Sequence, residues 1–235
     1  MNIFALNGQP GQENVYLFNG DFIDRGSFSC EVIIALLACK VAYPQHFFMS
    51  RGNHESKNLN KIYGFEGEVI HKYDAKCYEL YCDVFCQLPI SHCINSKIYI
   101  SHGGLFSKDG VTLKDIEETN RFREPGDEGI LCESLWSDPS DLDGRHTSKR
   151  GVGIMFGPDV TKKFIEDNDL SKPNFSLVIS FRIRCSLTRS QERRIRISER
   201  RQAHHSFLCA KLLRLDGQQR SIHPLQRQGI RTKNH

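Results

Sequence analysis

No window of about 18 apolar residues occurs in the 235-residue chain, so the sequence predicts no membrane-spanning helix and no membrane partner. The opening residues, MNIFALNGQPGQEN, lack a basic stretch followed by a long apolar one, and no secretory signal is expected. Cys-x-x-Cys pairs are missing too: the nine cysteines stand at 30, 39, 77, 82, 86, 93, 132, 185 and 209, which points to reduced thiols in a cytoplasmic or nuclear protein. No 34-residue helical repeat occurs, so a tetratricopeptide domain is not expected. What is present is a chain with 39% hydrophobic residues, long enough for one sizeable core or two small ones.

The net charge of +4 conceals two compositions that meet near Leu170. Residues 1–170 hold 17 Lys and Arg against 25 Asp and Glu, whereas residues 171–235 hold 15 against 3. The second part has no consistent period of two or 3.6, so it reads as a basic tail without a core face.

Within the first part, the apolar run of VYLFNGDFIDRG (15–26) stops at Asn19-Gly20 and is followed by Asp21, Asp24 and Arg25. HFFMSRGNHE (46–55) and KIYISHGG (97–104) repeat the design: a strand-like run that ends in a polar cluster. Strand ends that converge are where α/β proteins build sites. Residues 27–42 have helical spacing and predict a crossover between two parallel strands. Helix is expected again over 58–88, interrupted only by Gly64 and Gly67, with most of its aromatics in the core. Strands at 91–94 and 97–101 flank an Asn95-Ser96 turn, and a short helix covers 111–118. Residues 135–157 read as a long irregular polar connection, and residues 159–167 as a helix with Asp159 as N-cap.

Asp21, Asn53 and His102 are hard-to-borderline donors suited to Mn, Fe or Zn. Two such ions, roughly 3.5–4 Å apart, can clamp a phosphate ester. Asp24 would then orient His54 as general acid for a poor alkoxide leaving group, and Arg25 and Arg150 would bind the phosphate oxygens. Each residue also has a plainer reading: a solvated Asp-Arg pair, a structural His-Gly-Gly, a turn at Asn-His. The order and the conjunction of GDFIDRG, RGNHE and HGG favour chemistry.

These motifs resemble those of the phosphoprotein phosphatases, the metal-dependent serine/threonine phosphatases. IYGFEGEV (62–69), HGGLFSKDGVTL (102–113), LWSDP (135–139) and RGVGIMFGPDVT (150–161) extend the resemblance over about residues 1–170. It implies an α/β (α+β) metallophosphoesterase fold, a central β-sandwich flanked by helices and incomplete in this chain. It also implies two divalent ions, phosphoprotein substrates, and hydrolysis of phosphoserine and phosphothreonine by a metal-activated hydroxide. By motif match, Asp21 bridges the ions, Asn53 and His102 bind the second of them, His54 and Asp24 are the acid pair, and Arg25, Asn53, His54 and Arg150 touch phosphate.

The family's Gly-Asp-x-His-Gly, Arg-Ser-His-Glu and Ser-Ala-Pro-Asn-Tyr motifs do not appear, so the metal site is expected to be only partly retained. Back-translation one nucleotide forward recovers Ser-His-Glu-Val from residues 187–191 and a Ser-Ala-Pro-Asn-Tyr segment from residues 202–214, although Leu215 does not fit. The expectation is therefore a partial catalytic domain over 1–170 and an out-of-frame or disordered tail over 171–235. Sequence of that origin is basic without selection for nucleic acid, which is not expected as a partner. The rival reading is a catalytically dead fragment or a splice or gene-model artefact of such a phosphatase.

Overall fold

Helix α1 (Asn2–Asn7) leads into β1 (Val15–Asn19), the apolar run VYLFN, and α2 (Ser29–Ala42) then carries the chain to β2 (Phe47–Ser50). β1 and β2 pair in parallel, Tyr16 with Phe47 through Asn19 with Ser50, so the expected crossover unit is present. The structure, a computed structural model, describes residues 2–170, 212–215 and 222–224.

The helical run expected over 58–88 is three helices: α3 (Lys57–Tyr63), α4 (Phe65–Lys72) and α5 (Ala75–Gln87). Gly64 makes the first break with φ at 108°, a backbone region that favours glycine. Gly67 makes none, because it lies inside α4. The second break falls at Tyr73-Asp74, where the Asp74 carboxylate accepts the Cys77 N–H at 2.7 Å and caps α5.

Strands β3 (Ser91–Ile94) and β4 (Ile98–Ser101) form the expected hairpin, with Asn95 and Ser96 at φ of 53° and 54° turning the chain. Helix α6 (Leu113–Glu118) starts at a capping box between Thr112 and Asp115, and α7 (Gly129–Trp136) follows. The stretch 135–157, expected to be irregular, holds a small sheet of β5 (Asp138–Pro139), β6 (Arg145–Thr147) and β7 (Ile154–Phe156) in the order β5-β7-β6. Helix α8 (Pro158–Asp167) has Gly157 at its N-cap. Asp159, expected there, instead accepts the Gly144 N–H at 2.7 Å and ties the helix to the loop before β6.

Two short strands come from beyond Leu170. β8 (Leu212–Leu215) pairs antiparallel with β1, and β9 (Ile222–Pro224) pairs antiparallel with β3. The expectation of an out-of-frame or disordered tail otherwise falls outside the described residues.

Alternation along the strands sorts their side chains into layers. Tyr16, Phe18, Phe47 and Met49 face a core shared with α2, α4 and α5. Leu17, Phe48, Ile94 and Ile100 meet between the two sheets. Cys93 and Tyr99 face a third cluster with Leu131, Leu135, Phe156 and Phe164 from α7, β7 and α8. The result is a two-sheet sandwich with helices on both outer faces, the fold class expected. The ends of β1, β2 and β4 meet at one edge of it.

Candidate active site

The three strand ends approach closely because Gly20 and Gly52 leave room between them. A Cβ on Gly20, whose φ is 79°, would lie 2.5 Å from His102 Nδ1 and 2.6 Å from Gly52 Cα. A Cβ on Gly52 would lie 2.5 Å from the Asp21 nitrogen and 2.6 Å from its carboxylate. Only backbone without side chains lets these segments touch. Across the sandwich, Asn19 donates to the Ser101 carbonyl at 2.9 Å, and His102 Nδ1 donates to the Asn19 carbonyl at 2.7 Å.

That last bond fixes the His102 tautomer and leaves Nε2 facing Asn53 Oδ1 at 3.1 Å and Asp21 Oδ1 at 3.2 Å. With His102 neutral these are three acceptors facing one another, an arrangement relieved either by a proton on Nε2 or by a cation shared among them. Donors that share one ion at about 2.0–2.2 Å are separated by distances of this order. Burial would raise the Asp21 carboxyl, but His102 beside it outweighs that and holds it below the usual range. Burial alone would lower His102, and the Asp21 charge reverses the direction. The donor set thus fits a divalent ion, with two oxygens from one sheet and a nitrogen from the other. Among the described residues no group of three or more His, Cys, Asp and Glu forms a metal cluster, since the third donor here is an amide.

Beside this set His54 Nδ1 donates to Asp24 Oδ2 at 2.8 Å, with the His side chain 8% exposed and the Asp side chain 0%. The His54 backbone N–H also reaches Asp21 Oδ1 at 3.3 Å, which ties the acid pair to the donor set. Tyr63 packs on the His54 ring at 5.1 Å, and the Arg25 guanidinium lies 4.6 Å over the same Tyr63 ring. Asp21, Asp24 and Arg25 have φ of 58°, 71° and 59°, left-handed backbone that costs roughly 1–3 kcal/mol each and is typical of functional loops. The structure therefore gathers Asp21, Asp24, Arg25, Asn53, His54 and His102. Arg150 stands on the connection between β6 and β7, gripped by Asp138 at 2.6 and 3.1 Å. An anion reaching it would compete with that carboxylate for the guanidinium.

Three residues that sequence reasoning left without a role hold this geometry. Glu55 is fully buried and accepts from the backbone of Asp21 at 2.8 Å, Phe22 at 2.7 Å and Gly52 at 2.8 Å. Arg51 is equally buried and donates to the carbonyls of Glu55 at 2.9 Å and Arg123 at 2.8 Å. Tyr63, one of the aromatics given no chemistry, is 41% exposed and bridges His54 to Arg25. The closing Glu of RGNHE was the one available signal for the first.

The family model described as calcineurin-like phosphoesterase matches residues 1–180. Over 170 residues the chain is 59% identical to serine/threonine-protein phosphatase 5 of Arabidopsis thaliana and to that of Homo sapiens, covering 72% of this chain and 32% and 34% of theirs. It is 56% identical over 171 residues to serine/threonine-protein phosphatase T of Trypanosoma brucei brucei, covering 36% of that protein. The chain spans about a third of the length of these curated relatives. A solved Saccharomyces cerevisiae protein serine/threonine phosphatase, described as similar to human phosphatase PP5, superposes with a TM-score of 0.70 at 44% identity, over 72% of this chain and 53% of that one.

Proposed function

Since the chain belongs to the calcineurin-like phosphoesterase family, whose members use divalent metals, we propose that it hydrolyses phosphoserine and phosphothreonine in proteins. The observation that carries this reading is the Asp24–His54 pair set against the convergent donors Asp21, Asn53 and His102. When bound, two divalent ions (Mn, Fe or Zn) supply Lewis-acid stabilisation of the phosphoryl oxygens and acidify water. Asp21, Asn53 and His102 are the residues here that would hold one of them, and of these donors only Asp21 would be left to reach the other.

The chain's own groups handle charge and the proton. Asp24 keeps the His54 Nδ1 proton in place, so Nε2 is the nitrogen that delivers one. As the phosphorus–oxygen ester bond breaks, the serine or threonine alkoxide takes that proton, because a free alkoxide leaves poorly. Arg25, stacked on Tyr63, presents a planar guanidinium for two phosphate oxygens. The Asn53 amide offers a donor beside it. Arg150 joins them if phosphate displaces Asp138. The seven free cysteines among the described residues support a reducing compartment, cytoplasm or nucleus.

Purified chain with Mn²⁺ and a phosphothreonine peptide tests the reading. Turnover is expected, and His54→Ala should lower it by about 10²- to 10⁴-fold, the usual weight of a general acid. Absence of both turnover and stoichiometric metal would overturn it in favour of a non-catalytic fragment.

A further inference from the structure

Asn60 lies in the middle of α3 and is fully buried, where an apolar side chain would pack without polar atoms to satisfy. Its Nδ2 donates to the His54 carbonyl at 2.7 Å and to Asp24 Oδ2 at 3.2 Å. Its Oδ1 is buried and meets no hydrogen-bond partner. An orphaned buried amide oxygen is a destabilising feature that calls for a reason. Turning the amide over would aim that oxygen at a carboxylate and a carbonyl, so the two acceptors dictate its orientation.

The reason lies in what the donors hold. Asp24 Oδ2 receives both His54 Nδ1 at 2.8 Å and Asn60 Nδ2, and Asp24 Oδ1 receives the Phe65 N–H at 3.0 Å. Without Asn60, the Oδ2 end of the carboxylate would be held by His54 alone, and the pair could swing together. The same Asn60 amide pins the His54 main chain, so both partners are fixed by one side chain from outside their own loops. Arg25 N–H donates to the Tyr63 carbonyl at 3.1 Å, so the end of α3 grips the same loop a second time.

We infer that Asn60 is a positioning residue for the Asp24–His54 pair: it locks the carboxylate rotation and the His54 backbone together, and thereby keeps the proton of His54 Nδ1 on Asp24. The kinetic consequence rests on the phosphatase reading, but the geometric one does not.

The test is NMR on the full chain loaded with Zn²⁺, alongside kinetics. In the parent, the His54 Nδ1 proton should be slow to exchange and shifted downfield. The two Asn60 δ-NH protons should be inequivalent and protected. Asn60→Ala should make the His54 proton exchange rapidly and lower kcat by about 10- to 100-fold with KM and metal stoichiometry held, as expected when a reacting group is misplaced. Asn60→Leu, which is close in size and carries no donor, should do the same and serves where Asn60→Ala fails to fold. A His54 Nδ1 proton unchanged in a folded variant overturns the inference, as do Asn60 δ-NH protons that exchange like a free amide in the parent. If the parent shows no turnover, the phosphatase reading falls while the NMR signature still decides the role of Asn60.

Discussion

One methyl group at Gly52 would occupy space already filled by the Asp21 nitrogen and carboxylate, 2.5 and 2.6 Å away. Gly52→Ala should therefore push Asp21 off its position. We expect a loss of about 1–3 kcal/mol by denaturant unfolding, the usual cost of overpacking, together with weaker divalent-metal binding by calorimetry. His92 presents a titration instead. Burial, with the charges of Lys40 and Arg121 adding to it, pushes its imidazole down from the ordinary 6.5 to about 3, while Ser50 Oγ lies 3.0 Å from its Nδ1. Below pH 6.5 the unfolded chain takes up a proton that the folded chain refuses until about pH 3. The stability associated with neutral His92 is thus complete above pH 6.5 and falls on acidification by about 1.4 kcal/mol per pH unit. Urea midpoints at several pH values should show a shallower acid slope in His92→Gln than in the parent. At this scale the sequence exposed the donors, because Asp21, Asn53, His54 and His102 follow apolar runs directly. It concealed Asn60, and of Glu55 it showed only the closing letter of RGNHE. A carboxylate that only accepts backbone N–H groups, and an amide inside a helical pattern, have no spacing that separates them from surface residues.

Among the elements, α5 depends on its first turn. The Asp74 carboxylate holds the Cys77 N–H at 2.7 Å, and the helix carries Tyr78, Tyr81, Cys82 and Phe85 into the core. Asp74→Ala should cost about 1 kcal/mol, read as a lower urea midpoint at unchanged slope. The long helices and buried strands were legible because their apolar residues recur at the right period. Two features were not. Gly67 continues α4 because a helix tolerates a glycine when its neighbours pack, here Phe65 and Val69, both fully buried. Strands β5, β6 and β7 are two or three residues long, too short to show an alternation, and they are specified by tertiary pairing. The Asp138 grip on Arg150 belongs to the same class: it depends on the register between β5 and the loop ahead of β7, which no local pattern encodes.

For the whole molecule, the sandwich divides into two outer cores which, among the described residues, meet in a thin layer of Leu17, Phe48, Ile94 and Ile100 with Val15 and Ile98 against it. β8 lies along the free edge of β1 and β9 along that of β3, so each sheet has an added strand at an edge that would otherwise present unpaired backbone groups. The site sits on the seam. Asp21 and Asn53 belong to one leaf of the sandwich and His102 to the other, joined by the Asn19–Ser101 and His102–Asn19 bonds. An ion held there would be a clasp between two leaves whose common core, among the described residues, is that thin layer. Its binding energy would then appear as cooperativity between them. In differential scanning calorimetry, the metal-loaded chain should melt in a single transition. With a chelator in excess the same protein should melt at lower temperature in two overlapping steps, one leaf letting go before the other. On this view the strand ends that assemble the chemistry are also where the two halves of the molecule decide whether to unfold together.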